Sequence, residues 1–115
     1  MQAITIAPDG SVMQADLPNT LEALQQAVGG YIEGLPSPLD DGWAAYGNED
    51  AKIIGLEYNP VAHVVLVKFG GHNPRDPITG PVVITGFDND TGERRPVPAT
   101  LFSQIITLIQ GGSND

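Results

Sequence analysis

The residues best equipped for chemistry in this 115-residue chain lie in one polar segment. It carries an imidazole, an amide, a guanidinium and a carboxylate, from His72, Asn73, Arg75 and Asp76. Together these groups offer donors, an acceptor and a planar cation, a set that could grip an anionic or planar ligand. We take them as candidate contact residues. The alternative is a solvated loop without a partner.

Arginine and aromatic side chains extend this candidate site. Arg94 and Arg95 stand in a second turn that could lie near the polar segment. Tyr46 and Tyr58 are added because aromatic side chains bury a large area at a small entropy cost and are common at binding hot spots. At strand spacing such residues also serve the core, which is the interpretation we favour for Trp43.

A calcium loop is suggested by the segment 88–92, Asp-Asn-Asp-Thr-Gly, which has acids at the first and third positions. A complete loop needs a bidentate Glu at its twelfth position, where this chain has Ala99. Pro96 and Pro98 also oppose the helix that should follow. We therefore favour a hairpin turn rich in Asp and Asn.

Catalytic patterns are missing from the sequence. The two histidines, His63 and His72, lack the His-Glu-x-x-His spacing of a zinc site, and we expect His63 to be a half-buried imidazole. Gly70-Gly71 lacks the Gly-Lys-Ser/Thr of a phosphate-binding loop. The acid pairs 40–41 and 49–50 lie in turns where water keeps them ionised. With no cysteine either, we expect a protein that is not an enzyme and needs no cofactor or metal.

The acidic balance limits the partners. Fourteen acids against five bases give a formal net charge of −9, which repels nucleic acid and anionic membranes. The sequence has no long apolar run or leader pattern, so we expect a cytoplasmic protein with no nucleic-acid or membrane partner. The length fits one globular domain over residues 1–112, with a frayed tail over 113–115.

The periodicity of apolar residues predicts an alternation of hairpins and helices. Asn19 is a candidate N-cap, with Glu22 completing a capping box and Leu21 in the buried stripe of a helix that ends at Gly29. A closing helix is predicted over 100–110. The predicted strands cover residues 3–7, 11–16, 31–35, 43–46, 52–56, 81–87 and 93–97, with the segment 81–87 central.

Residues 61–69 are β-branched enough for a buried strand, but the preceding Asn59-Pro60 is typical of a helix start, which we favour. The following stretch, 70–80, lacks apolar periodicity and is expected on the surface. These elements predict an α+β fold: a mixed or mostly antiparallel sheet of about five or six short strands, with two or three helices packed on one face.

The order of these elements resembles a small domain of unknown function, the DUF3846 type, common in phages of actinobacteria and in bacterial mobile elements. The resemblance covers nearly the whole chain and supports the helix after Asn59, while the stretch 70–77 is longer here. It brings no catalytic residues. The matching segments are residues 19–25, 28–33, 48–52, 55–56, 59–60 and 80–86.

The resemblance implies a function by association. We expect a non-enzymatic phage accessory protein that binds a host bacterial protein in the host cytoplasm and interferes with its work. The alternative is a homo-oligomeric sponge for a small nucleotide-type signal. Its arginines would pair the phosphate, and Tyr46 or Tyr58 would stack on the base.

Overall fold

A computed structural model describes residues 1–111 of the chain; Gly112 and the predicted tail 113–115 lie outside the described residues. Residues 1–111 form six strands, three α-helices and one 3-10 turn. They are β1 (Gln2–Ile6), β2 (Val12–Asp16), α1 (Leu21–Val28), β3 (Ile32–Leu35), the 3-10 turn Leu39–Asp41, β4 (Trp43–Asn48), α2 (Pro60–Gly70), β5 (Val82–Phe87), β6 (Arg94–Arg95) and α3 (Leu101–Gly111).

The strands form one antiparallel sheet in the order β2-β1-β5-β4-β3, with β6 paired to the end of β5. The α+β class is thereby confirmed, and so is the central place of β5. The short β6 can pair because Gly86 has no Cβ, which would overlap the carbonyl oxygen of Pro96. The strand predicted over 93–97 is only two residues long.

Alternation along β5 divides the core between the two faces of the sheet. Val82 and Ile84 pack with Ala62 of α2 and Ile105 of α3. Val83 points the other way and packs with α1. Two helices thus share one face, as predicted, and the third covers the opposite face.

Residues 60–70 are helical, which confirms the helix favoured from Asn59-Pro60. The Asn59 side chain accepts a hydrogen bond from the Ala62 amide, and Pro60 occupies the first turn, where no amide donor is needed. The buried residues of α2, Ala62, Val65 and Leu66, follow helical spacing. Local capping therefore outweighs the strand propensity of the valines.

Three details of the prediction are wrong. The N-cap of α1 is Thr20, whose hydroxyl accepts from the Ala23 amide at 3.1 Å. Asn19 lies one residue too early, so Glu22 falls at the second helical position and the capping box does not form. Leu21 is 48% exposed rather than part of the buried face, which is formed by Ala23, Leu24 and Val28.

The segment 52–56 is not a strand but a turn that continues from the end of β4. The stretch 70–80 is only partly on the surface, since His72 is 7% exposed and Ile78 is buried. The turn is closed by local hydrogen bonds, from the Ile54 amide to the Asp50 carbonyl and from the Leu56 amide to the Ala51 carbonyl. Ile78 is buried because it packs in the core with residues distant in sequence, which local periodicity does not record.

The Asn59 side chain joins three parts of the fold and is fully buried. Its amide nitrogen donates to the carbonyl oxygens of Ile6 and Gly80, each at 2.9 Å, while its oxygen caps α2. The amide nitrogen and the amide oxygen of Asn59 are therefore both hydrogen-bonded inside the protein.

Replacing Asn59 with Asp should lower the free energy of unfolding by about 3 kcal/mol or more, because two buried carbonyls lose their donor and face a carboxylate. Urea unfolding measures the change. Asn73→Asp makes the same chemical change at an exposed side chain whose oxygen accepts from the Arg75 amide, a bond that a carboxylate keeps, and it should cost less than about 0.5 kcal/mol. Equal stability of the two variants would contradict this account of Asn59.

Candidate functional site

A groove of about 600 Å³ lies beside the β3–β4 hairpin, between two loops that we call the isoleucine loop (residues 49–56) and the histidine loop (residues 71–79). Both loops and the edge of the sheet contribute walls. The lining residues are Glu33, Gly34, Leu35, Pro36, Gly47, Asn48, Glu49, Ala51, Lys52, Ile53, His72, Asn73, Asp76, Pro77, Ile78 and Thr79.

The hairpin side of the groove is held by one hydroxyl. Ser37 Oγ accepts from the Ala45 amide at 2.8 Å and donates to the Leu35 carbonyl at 2.7 Å, so it bridges the last residues of the β3–β4 ladder. Gly47 faces Leu35 on the groove side, and a Cβ there would come within 3.2 Å of the Leu35 side chain. The lack of a side chain at Gly47 keeps this part of the groove open.

The isoleucine loop begins at a buried amide. Asn48 donates to the Val28 carbonyl at 3.1 Å and accepts from the Asp50 amide at 2.8 Å, which fixes the turn at the end of β4. The loop then projects outward, and Ile53 and Ile54 are 84% and 59% exposed. Ile53 therefore stands at the rim of the groove, and Ile54 is the next exposed residue of the loop.

His63 attaches the histidine loop to α2, and His72 makes a contact within the loop. His72 Nε2 lies 2.6 Å from the Asp76 carbonyl oxygen, and His63 Nε2 lies 3.0 Å from the Pro74 carbonyl oxygen. A carbonyl only accepts, so both rings carry their proton on Nε2. The rings contact edge to face at 5.7 Å, and Tyr58 adds a tilted contact with His63. The prediction of a half-buried His63 agrees with this placement.

An ion pair between Lys52 and Asp76 connects the two loops. The hydrogen bond from the Lys52 ammonium lowers the pKa of the Asp76 carboxyl, and the positive charge of Lys52 adds to the effect. Asp76 is therefore ionised at neutral pH, and its half-exposed ion pair with Lys52 joins the two walls of the groove.

The structure divides the candidate residues into two groups. His72, Asn73 and Asp76 line the groove, and Arg75 is exposed on the same loop. Tyr58 pairs with Thr79 of the histidine loop in an isolated β-bridge and contacts the His63 ring, but it does not line the groove.

Tyr46, Arg94 and Arg95 lie elsewhere. The guanidinium of Arg94 sits 5.1 Å above the Tyr46 ring on the face that α1 covers, and Arg95 pairs with Asp88. The expectation that the two arginines lie near the polar loop does not match this arrangement, since none of the three lines the groove.

Sequence reasoning missed the groove residues Glu33, Gly47, Glu49 and Ile53. The one sequence feature that could have indicated the site was the pair of adjacent isoleucines, Ile53 and Ile54, next to an acidic turn. The segment 88–92 is the turn expected from its Asp and Asn content: Asp88 accepts from the Asp90 amide at 2.9 Å, a bond that lowers the Asp88 pKa.

Within residues 1–111, no three His, Asp or Glu side chains come together so as to hold a metal ion. None of the helices in the same range is long and apolar enough to cross a membrane.

Comparison with known proteins gives one match. A family model described as a domain of unknown function, DUF3846, matches residues 1–110. No curated protein and no solved structure matches the chain. The family match confirms the resemblance seen in the sequence.

Asp76→Asn should destabilise the fold at neutral pH, because the Lys52 ammonium loses its charged partner. The ion pair stabilises the fold at pH values above the ordinary aspartate pKa of about 3.9. This stabilisation is lost as the pH falls through the lowered pKa of Asp76. The difference between the urea midpoints of wild type and variant should therefore vanish in acid. Asp41→Asn, at an exposed carboxyl outside the groove, is the control; a pH-independent difference at Asp76 would refute the ion-pair explanation.

Proposed function

The chain belongs to the DUF3846 family of domains of unknown function, and from this premise we propose that it is a non-enzymatic module that binds another protein through the groove and the isoleucine loop. The supporting observation is the exposure of Ile53 and Ile54 beside a groove. Contiguous apolar side chains at a polar rim are typical of protein interaction sites.

The candidate contact residues support the same surface. His72, Asn73 and Asp76 line the groove opposite the β3–β4 hairpin. Arg75 is exposed on the same loop, where it can meet a partner that fills the groove. A partner would thus contact a rim that combines apolar, amide and charged groups, the usual composition of a specific interface.

We further propose that the chain is a phage accessory protein and that its partner is a bacterial host protein, bound in the host cytoplasm so that its work is disturbed. The support is the resemblance to domains carried by actinobacterial phages. The net charge of −9 favours a partner with a basic surface.

The arrangement of charges supports the alternative, a nucleotide sponge, less well than it supports protein binding. Arg94 is engaged with Tyr46 and Arg95 with Asp88, so neither is directed at the groove. The groove itself carries Glu33 and Glu49, which repel phosphate. A thermal-shift panel of nucleotides tests the alternative, since a ligand at 100 times its dissociation constant adds about 2.7 kcal/mol.

The proposal is tested with tagged protein in bacterial lysate and quantitative mass spectrometry. We expect the wild-type protein to enrich a specific protein from the lysate. Ile53→Ser should bind that protein at least tenfold more weakly, a change of about 1.4 kcal/mol in binding free energy. Arg75→Ala and Asp76→Ala should also weaken capture. Each variant is checked for native unfolding behaviour before capture is compared.

Met13→Ser is the matched control, because Met13 is 59% exposed on β2, at the opposite edge of the sheet. It should capture as wild type does. Equal capture by wild type and Ile53→Ser, or no specific capture at all, would refute the proposed role of this surface.

A further inference from the structure

The outer edge of β3 is open. β3 is the last strand of the sheet, and within residues 1–111 no strand pairs with its outer side. Glu33 and Gly34 are exposed, and a Cβ at Gly34 would meet nothing within 4 Å. Edge strands of this kind are templates for an added strand.

The register shows which backbone groups face outward. Tyr31 lies opposite Glu49 and accepts its amide hydrogen at 2.8 Å, so alternate residues of β3 bond to β4. Glu33 and Leu35 belong to that inward set. By the alternation of an antiparallel ladder, Ile32 and Gly34 direct their N–H and C=O groups to the open side.

The groove adjoins this edge on the face that carries α2. Glu33 and Leu35 point to that face, opposite Gly47 and Ala45 in the ladder. A strand added to β3 would place every second side chain beside Glu33 and toward the groove.

The negative charge of the groove lining favours an added strand that carries positive charge. Its lining carries Glu33, Glu49 and Asp76 against one ammonium, that of Lys52, which is already paired with Asp76. The two glutamates are exposed, and they remain to be neutralised by a cation of the occupant. A second copy of the chain fits poorly, since each copy carries −9.

We infer that the β3 edge and its groove bind an extended, basic segment of the partner protein by strand addition, with a Lys or Arg side chain beside Glu33 and Glu49. The inference rests on the proposed function and specifies the partner's chemistry. Backbone hydrogen bonds to Ile32 and Gly34 supply the attachment, and the carboxylates supply the selectivity.

Two labelled octapeptides test the inference by fluorescence anisotropy: one alternates Lys and Val, and the other alternates Glu and Val. We expect the basic peptide to bind and the acidic one not to bind. Binding should also slow hydrogen exchange at the Ile32 and Gly34 amides, which nonspecific attraction would not do.

Gly34→Pro removes the outward N–H donor but leaves the hydrogen bonds to β4 in place. It should weaken binding of the basic peptide at least tenfold. Gly34→Ala is its control and should bind as wild type, because the site has room for a Cβ. Glu33→Gln should weaken binding severalfold, whereas Glu22→Gln, an exposed acid on α1, should not.

Failure of the basic peptide to bind at millimolar concentration, or equal binding by Gly34→Pro and Gly34→Ala, would overturn the inference. The lysate experiment separates the two proposals. Partner capture that is lost in Ile53→Ser but intact in Gly34→Pro would leave the proposed function standing and reject strand addition.

Discussion

The fully buried Asn59 amide is the constraint on which the rest of the structure depends. It ties the end of β1, through the Ile6 carbonyl, to Gly80 just before β5, and it caps α2 at the same time. A buried amide is favourable only when its donors and acceptor are all used, so this geometry tolerates little variation. The chain is thereby held where β1, β5 and α2 meet.

The groove follows from that junction. The backbone of Asn59 donates to Ile78, one end of the histidine loop, while His63 on the first turns of α2 holds Pro74 near the middle. Gly71 ends α2 in a left-handed conformation, from which the chain enters the histidine loop. A loop without regular structure is thus fixed at its start, middle and end. Its side chains can present a defined surface because the helix beneath it is rigid.

Sequence patterns predicted the parts of the fold that local chemistry determines. Asn59-Pro60 specifies a helix start against the strand propensity of the valines, and the apolar run 82–84 marks the central strand. The choice of Thr20 over Asn19 as the α1 cap was not predictable, since both residues can cap. The site was harder to predict than the fold. His72 and Asp76 were identified from their residue types, but Glu33 and Gly47 join them only through long-range strand pairing. Arg94 illustrates the same limit, because its contact with Tyr46 arises across the sheet.

Charge and apolar exposure have complementary effects in this chain. Ile53 and Ile54 would promote self-association on a neutral protein, but a net charge of −9 makes copies repel one another over distances of about a Debye length, roughly 8 Å in physiological salt. On the proposed function, the apolar rim stays uncovered until the basic surface of the partner approaches. Attraction between unlike charges then acts first and at longer range, and the isoleucines contribute only once the surfaces touch. In the complex that we propose, the charge provides selectivity and the apolar contact determines the lifetime.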